Sequence, residues 1–411
     1  MLQATTSQAE YRARRDALRK ALPAAVILLA GAEEAEKGGL RGGFFQEANF
    51  LYLTGWREPN AWTILAPDKD ILLLPARSDV RERYTGRKLG PADANAPAET
   101  GFAEVADASD LDEKLKLLAG ANAPVYAIAK SAAAERIANA LGLGRSVEDL
   151  AKPLARLRMV KSPEEIARLR ASTDATVEAH KAAWARAAAG LYEYQIASAM
   201  GSVYFERGCE RHAYTPIVAS GPNSIVLHYA KNRRRMDGGD LLLMDVGAEC
   251  ADYAADITRT IPVTGKFSKR QREIYEVVLG AQNAAIAAAK PGMKLLGDSE
   301  NSLNRIARDW VNTHGKDSKG EPLGKYYLHS LGHHVGLDVH DPVDPAEDEL
   351  KPGMVITIEP GVYIADENIG VRIEDMILIT EAGHEVLSRD LPREPGAIEA
   401  AMRRSRGVKR K

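Results

Sequence analysis

"LLLMDVGAECADYAADITRT" occupies residues 241–260. Its first seven residues form an apolar strand that places an aspartate near its end, and residues 252–260 read as the next strand. A loop of about four residues at 249–252 would close them into a hairpin, with Asp245 opposite Asp256. Opposed side chains on one face of such a pair sit about 4.5–5.5 Å apart at Cβ. Two carboxylates that close repel each other, and more strongly when half buried. Either one of them is protonated or a cation lies between them.

The pattern recurs downstream. "VITIEPG" (355–361) is a strand that ends in Glu359, and "VRIEDMILI" (371–379) carries Glu374 near its start. A loop centred near 366–367 sets Glu359 opposite Glu374. Arg372 lies two residues before Glu374, on the same strand face, where it would balance that charge or meet a bound molecule. Between the two hairpins comes "HSLGHHVGLDVHD" (329–341), which holds four of the chain's nine histidines: His329, His333, His334 and His340. Taken singly, a strand-end aspartate or a glutamate before Pro360–Gly361 is an ordinary turn residue. Two opposed pairs around a histidine cluster point to metal. Four carboxylates match the charge of two divalent cations. Oxygen-rich ligation with one imidazole favours Mn2+, with Co2+, Fe2+ or Zn2+ as alternatives.

The 411 residues suggest two or three domains. Residues 1–155 read as a small α/β domain. A charged helix covers about 7–20, and strands follow at 24–30, 49–54, 61–66 and 71–75. A helix near 111–118, a strand at 124–128 and a helix at 131–141 complete it. In residues 156–411, "KSPEEIARLR" (161–170) opens a helix with Ser162 as N-cap, Pro163 in the first position and Glu165 closing a capping box. That helix runs to about Ala189, and a second spans 192–208. Strands at 215–218 and 240–246 lead into the hairpin. Helices at 268–289 and 297–314 follow, with strand and loop over 325–388. The fold class is α/β, of the α+β kind.

Bulk properties exclude several classes. A net charge of −2 gives no reason to expect nucleic acid or an anionic membrane as partner. "RRSRGVKRK" (403–411) reads as a solvated basic terminus. No apolar run reaches the roughly 18 residues that span a bilayer. "ALPAAVILLAG" (21–31) reads as a buried strand rather than a targeting segment, because helical sequence precedes it and a strand, "NFLYLTG" (49–55), follows. Cys209 and Cys250 lie in no CxxC pair, so neither a zinc ribbon nor a disulfide framework is expected. A cytoplasmic, reducing compartment fits, with a processed exported form as the alternative. No GxSxG occurs, and neither cysteine lies in a nucleophile motif.

With these residues assembled, the chain resembles the metallopeptidase family of aminopeptidase P, prolidase and methionine aminopeptidase, which has the pita-bread fold. Residues 156–411 carry the metal motifs. "NFLYLTG" and "YTGRKLG" (84–90) resemble the creatinase-like accessory domain of aminopeptidase P, which methionine aminopeptidase lacks. The family's ligand order Asp, Asp, His, Glu, Glu maps onto Asp245 in "LMDVG", Asp256 in "ADITRT", His333, Glu359 in "TIEPG" and Glu374 in "RIED". Asp245 with another carboxylate would hold one ion and His333 with Glu359 the second, while Asp256 and Glu374 bridge. The resemblance places His228 (in "LHY"), His329, His340 and Arg372 around the substrate. Tyr84 aligns with a tryptophan that closes a neighbouring subunit's proline pocket in some relatives. His334 reads as packing or pocket wall. Ser330 replaces a glycine common in the family. His180, His212, His314 and His384 fall in no motif. A homodimer or homotetramer is expected.

The implied chemistry is hydrolysis. Two divalent ions supply Lewis acidity and an acidified water. Glu359 is then the general base, and His228 and His340 would stabilise the oxyanion or protonate the leaving nitrogen. An Xaa–Pro bond is a tertiary amide without an N–H, and its ring fixes φ. A pocket for that ring near His329 and Arg372 would select it. The expected activity removes the N-terminal residue from peptides with proline second. A prolidase restricted to Xaa-Pro dipeptides is the runner-up. A non-catalytic binding protein on the same fold is a third reading, disfavoured by the complete ligand set.

Overall fold

In a computed structural model, residues 6–34, 43–142 and 144–408 are described. The chain divides into two compact units, one ending at Leu157 and the other beginning at Arg158.

In the first unit the side chain of Ser7 accepts from the Glu10 amide and starts α1 (Gln8–Ala21). There follow β1 (Val26–Ala30), α2 (Ala48–Thr54), β2 (Trp62–Ala66), β3 (Lys69–Leu74), α3 (Asp79–Thr85), α4 (Ala96–Thr100), β4 (Glu104–Asp107), α5 (Leu111–Ala119), β5 (Val125–Ala127), α6 (Ala132–Leu141), β6 (Val147–Asp149) and α7 (Ala151–Met159). The strands form one mixed sheet in the order β4-β3-β2-β1-β5-β6. Val26, Leu28, Ile64, Ile71 and Leu73 of the sheet bury against Leu111, Leu115 and Ile137 of the helices. "ALPAAVILLAG" therefore supplies the buried strand β1.

"NFLYLTG" departs from the expectation, because it is helix α2 and not a strand. A short apolar run does not distinguish the two by periodicity. The ends decide it: the Glu47 carboxylate accepts from the Phe50 amide, and Gly55 closes the helix with φ 67°.

The second unit opens with α8 (Pro163–Arg186), whose Ser162–Glu165 capping box is formed in both directions. Then come α9 (Glu193–Glu206), β7 (Arg211–His212), β8 (Ile217–Ser220), β9 (Leu241–Val246), β10 (Ala248–Cys250), β11 (Tyr253–Ala254), β12 (Ile257–Pro262), α10 (Lys269–Ala288), α11 (Leu303–His314), β13 (Val355–Ile358), β14 (Gly361–Ile364), β15 (Ile369–Arg372), β16 (Asp375–Thr380), β17 (Gly383–Val386) and α12 (Pro395–Val408). Strands pair as β12-β9-β8, β11-β10-β7, β13-β16-β17 and β14-β15. Trp184, Tyr204, Ile274 and Val278 of the helices share one core with Leu242, Met244, Ile257, Ile356 and Ile377 of the strands.

Four expectations are corrected here. The β9–β12 register pairs Asp245 with Thr258, not Asp256. The hairpin turns tightly through Ala251 and Asp252, both at positive φ (51° and 69°), where the Glu210 carboxylate accepts from the Ala251 amide. A two-residue shift keeps Asp256 on the same face, so the two carboxylates are diagonal neighbours. The helix expected from 297 begins at Leu303, capped by Ser302. The basic terminus is helical through Val408 as part of α12, and residues 409–411 lie outside the described residues. Cys209 and Cys250 are joined in a disulfide, with Cα atoms 4.2 Å apart. They stand 41 residues apart, and only the fold brings the end of α9 to β10. That bond removes the cysteine-based case for a reducing compartment.

The second hairpin keeps the expected register. Ile358 pairs with Asp375 and Gly361 with Arg372, which leaves Glu359 facing Glu374 between them.

Candidate metal centre

Asp245 lies on β9, every residue of which is buried. Asp256 and Glu374 are 5% and 1% exposed. Burial on that scale disfavours free charge unless a partner neutralises it. Ligand atoms of Asp245, Asp256 and Glu374 lie within 4.8 Å of one another, and so do those of His333, Glu359 and Glu374. The two triads share Glu374. A third, of Asp256, His333 and His340, overlaps them. All five expected ligands thus converge on one centre, with His340 at its edge.

His333 reaches that centre because its segment runs antiparallel along β13. The Thr357 amide donates to the His333 carbonyl, the Glu359 amide to Leu331, and the Val335 amide to Val355. The His333 Nδ1 donates to the carbonyl of His334 at 3.1 Å. In the neutral ring Nε2 is then bare. It lies 3.4 Å from both an Asp256 and a Glu359 oxygen. A lone pair facing two ionised carboxylates is repulsive unless a proton or a metal cation lies between them.

Three further observations fit divalent ions. The buried Glu374 Oε1 has no hydrogen-bond partner among the described residues. The Tyr214 hydroxyl lies 2.5 Å from oxygens of both Asp245 and Asp256, although it has only one hydrogen to give. The protein groups alone push the carboxyls upward. Asp256 is raised well above its usual range by burial and then by Asp245 and Glu359. Glu374 is raised likewise by burial, Asp256 and Asp245, and Glu359 reaches about 8 through burial and Glu374. The donor set of four carboxylates and one imidazole suits harder divalent cations.

Arg372 is buried and turns to Asp245, with Nη2 2.5 Å from Oδ2. Its direct ion pair is with Asp245, and its charge also acts to lower the pKa of Glu374, to which it is bonded through Thr258. Its Nε donates to Thr258 Oγ1 at 3.1 Å, and that hydroxyl donates to Glu374 Oε2 at 2.7 Å. From Nη1 a second relay leaves the centre, through the Tyr363 hydroxyl at 2.8 Å to His329 Nε2 at 2.8 Å. His329 Nδ1 donates to the Ser330 carbonyl, so both ring nitrogens are committed. Burial and then Arg372 lower its pKa to about 4, and the ring is neutral near pH 7.

The His340 ring centroid lies 4.1 Å from that of His333, the two rings tilted by 51°, and burial, then His333 and His228, lower its pKa. His228 is exposed on the turn after the 3-10 segment Gly221–Ile225. Its charge acts on both His329 and His340, which places it at the same cleft. His334 is buried, which pushes its pKa down to about 3, and its Nδ1 has no hydrogen-bond partner among the described residues. Tyr84 sits on α3 of the first unit and is 87% exposed.

Sequence reasoning missed Tyr214, Thr258, Thr357 and Tyr363. Thr258 and Thr357 carried the faint signal of standing two residues from a ligand on a strand, hence on its face. Tyr214 and Tyr363 carried none.

A model of metallopeptidase family M24 matches residues 167–381, and one of the aminopeptidase P N-terminal domain matches residues 11–126. The chain belongs to family M24. This M24 metallopeptidase is 34% identical to the Xaa-Pro aminopeptidase of Escherichia coli K12, over 96% of this chain and 98% of that one. The zinc-substituted E. coli aminopeptidase P in complex with product superposes with a TM-score of 0.88 at 32% identity, covering 98% of this chain and 100% of that one. The Xaa-Pro dipeptidase of Pyrococcus furiosus is 40% identical, over 60% of this chain and 66% of its own length.

Proposed function

We propose that this protein is an Xaa-Pro aminopeptidase, which hydrolyses the first peptide bond of peptides with proline second. The observation that carries the proposal is the convergence of Asp245, Asp256, His333, Glu359 and Glu374 on one buried centre. Likeness to the E. coli enzyme along nearly the whole chain supports the aminopeptidase over the dipeptidase, whose alignment reaches 60% of this chain.

Those five residues would hold two divalent ions, manganese first, which when bound supply Lewis acidity and an acidified water. Glu359 takes the water's proton, and its place beside His333 and the Thr357 hydroxyl aims it at the cleft. His340 and His228 would donate N–H hydrogen bonds to the oxygen of the tetrahedral species, and either could relay to the proline nitrogen the proton that Glu359 takes from the water. His329 has no free nitrogen for proton transfer and offers its ring face, with Arg372 behind Tyr363, as wall for the proline ring. The reading extends to a homo-oligomer in which the exposed Tyr84 of one copy closes the proline pocket of another.

The test is to give the protein Mn2+ and compare an Xaa-Pro dipeptide with an Xaa-Pro-Pro tripeptide. Release of the first residue from the tripeptide is expected. Cleavage of the dipeptide alone would make it a prolidase. No hydrolysis and no bound metal would leave a binding protein on this fold.

A further inference from the structure

Glu359 and Glu374 occupy the junction where the β13–β16 ladder meets the β14–β15 ladder. At the neighbouring pair, the Ile373 amide donates to the Pro360 carbonyl at 3.4 Å. An antiparallel pair of this kind exchanges two bonds, but the return bond cannot form because proline has no N–H. The buried carbonyl of Ile373 thus loses its ladder donor.

Gln282 supplies one from outside the sheet. It lies on α10 with no exposed surface. Its Nε2 is 3.1 Å from the Ile373 carbonyl, 3.1 Å from the Ile358 carbonyl and 3.0 Å from Asp375 Oδ2. Those two carbonyls belong to the peptide groups that lead directly into Glu374 and Glu359. The amide cannot turn over, because Arg393 Nη1 donates to Oε1 at 3.1 Å, and a flipped group would set its oxygen against three others. Packing alone would be met by a methionine or leucine of similar volume. Burying an amide carries a desolvation cost that only these bonds offset.

We propose that Gln282 is a positioning residue for the metal centre. One amide pins both glutamate-bearing peptides at the point where the ladder is broken, and so sets the affinity for divalent cations. This rests on the reading of Glu359 and Glu374 as ligands.

Titrating Mn2+ calorimetrically into metal-free wild type, Gln282→Met and Ile286→Ala tests it, with near-ultraviolet circular dichroism to check folding. Ile286 lies one turn along α10 in the apolar core, so its truncation weakens the helix without touching the amide. Gln282→Met is expected to bind Mn2+ about 10- to 100-fold more weakly, and Ile286→Ala as wild type does. Equal affinity in Gln282→Met and wild type overturns the proposal, and so does an equal loss in Ile286→Ala. Should Gln282→Met not fold, Arg393→Met takes its place. It frees the amide to turn, a several-fold weakening is expected, and unchanged affinity overturns the proposal. Wild-type protein that takes up no Mn2+ sinks the ligand assignment itself.

Discussion

Gly332 and Thr357 pass so close that a Cβ on Gly332 would lie 2.1 Å from the Thr357 carbonyl oxygen. The same threonine accepts from the His333 amide and donates to Glu359. One tight crossing of two backbones therefore sets two candidate ligands. Gly332→Ala must push the segment off β13. Overpacking a close-fitted site costs about 1–3 kcal/mol. We expect the upper end here, since the obstacle is backbone, together with weaker Mn2+ uptake. A thermal melt and a metal titration check both. An unshifted melt with normal uptake would mean that the strands part freely.

Tyr214 gives its one hydrogen between Asp245 and Asp256. Tyr214→Phe leaves the metal-free carboxylates without that donor, at a cost of about 1.5–3 kcal/mol for a bond to a charged group. Bound cations would offset most of it. The expected outcome is a lower melting temperature without metal and a larger rise on adding Mn2+ than in wild type. Equal rises in the two proteins would contradict this.

His180 is fully buried on α8, with Nε2 on the Ile257 carbonyl. Burial, then Arg259, push its pKa down to about 3. Between about pH 6.5 and 3 the unfolded chain binds the proton and the folded chain does not. Stability from this group is therefore full above pH 6.5 and is lost as pH falls, by up to about 1.4 kcal/mol per unit. His180→Gln keeps a donor for Ile257 and removes the titration. Denaturant melts of metal-free protein at pH 7 and pH 4.5 should show a shallower acid loss in the variant. Parallel losses would place the acid sensitivity elsewhere.

Cys209 and Cys250 close a long loop. In the chain-entropy account, a loop of about 40 residues yields about 4 kcal/mol at most. Thiol titration of denatured, unreduced protein should find no free thiol, and Cys209→Ser with Cys250→Ser should melt markedly lower. Two thiols in the unreduced protein would refute the bridge.

Local rules made much of the site legible. Alternation along 355–361 and 371–379 placed Glu359 across from Glu374, because side chains alternate with period two and the intervening loop fixes the register. Ser162, Pro163 and Glu165 announced α8, since a capping box is satisfied within four residues. The first hairpin was read two residues out of register, because no glycine marks the turn at Ala251–Asp252. Its left-handed backbone is held by Glu210, from a separate segment.

The kinds and order of the candidate metal-binding side chains were determined by the sequence alone: charge and strand period, properties of short stretches, picked out the four carboxylates, and the family's ligand order picked His333 from the four clustered histidines. The tertiary structure decided how those side chains are held. Gln282 meets the carbonyls of Ile358 and Ile373 from 76 and 91 residues away. Tyr214 reaches Asp245 from the bend between β7 and β8, and Arg372 crosses to pair with Asp245. Each of these bonds joins segments whose separation along the chain leaves no local trace, and only the packing of α10 and the four small sheets brings them within reach.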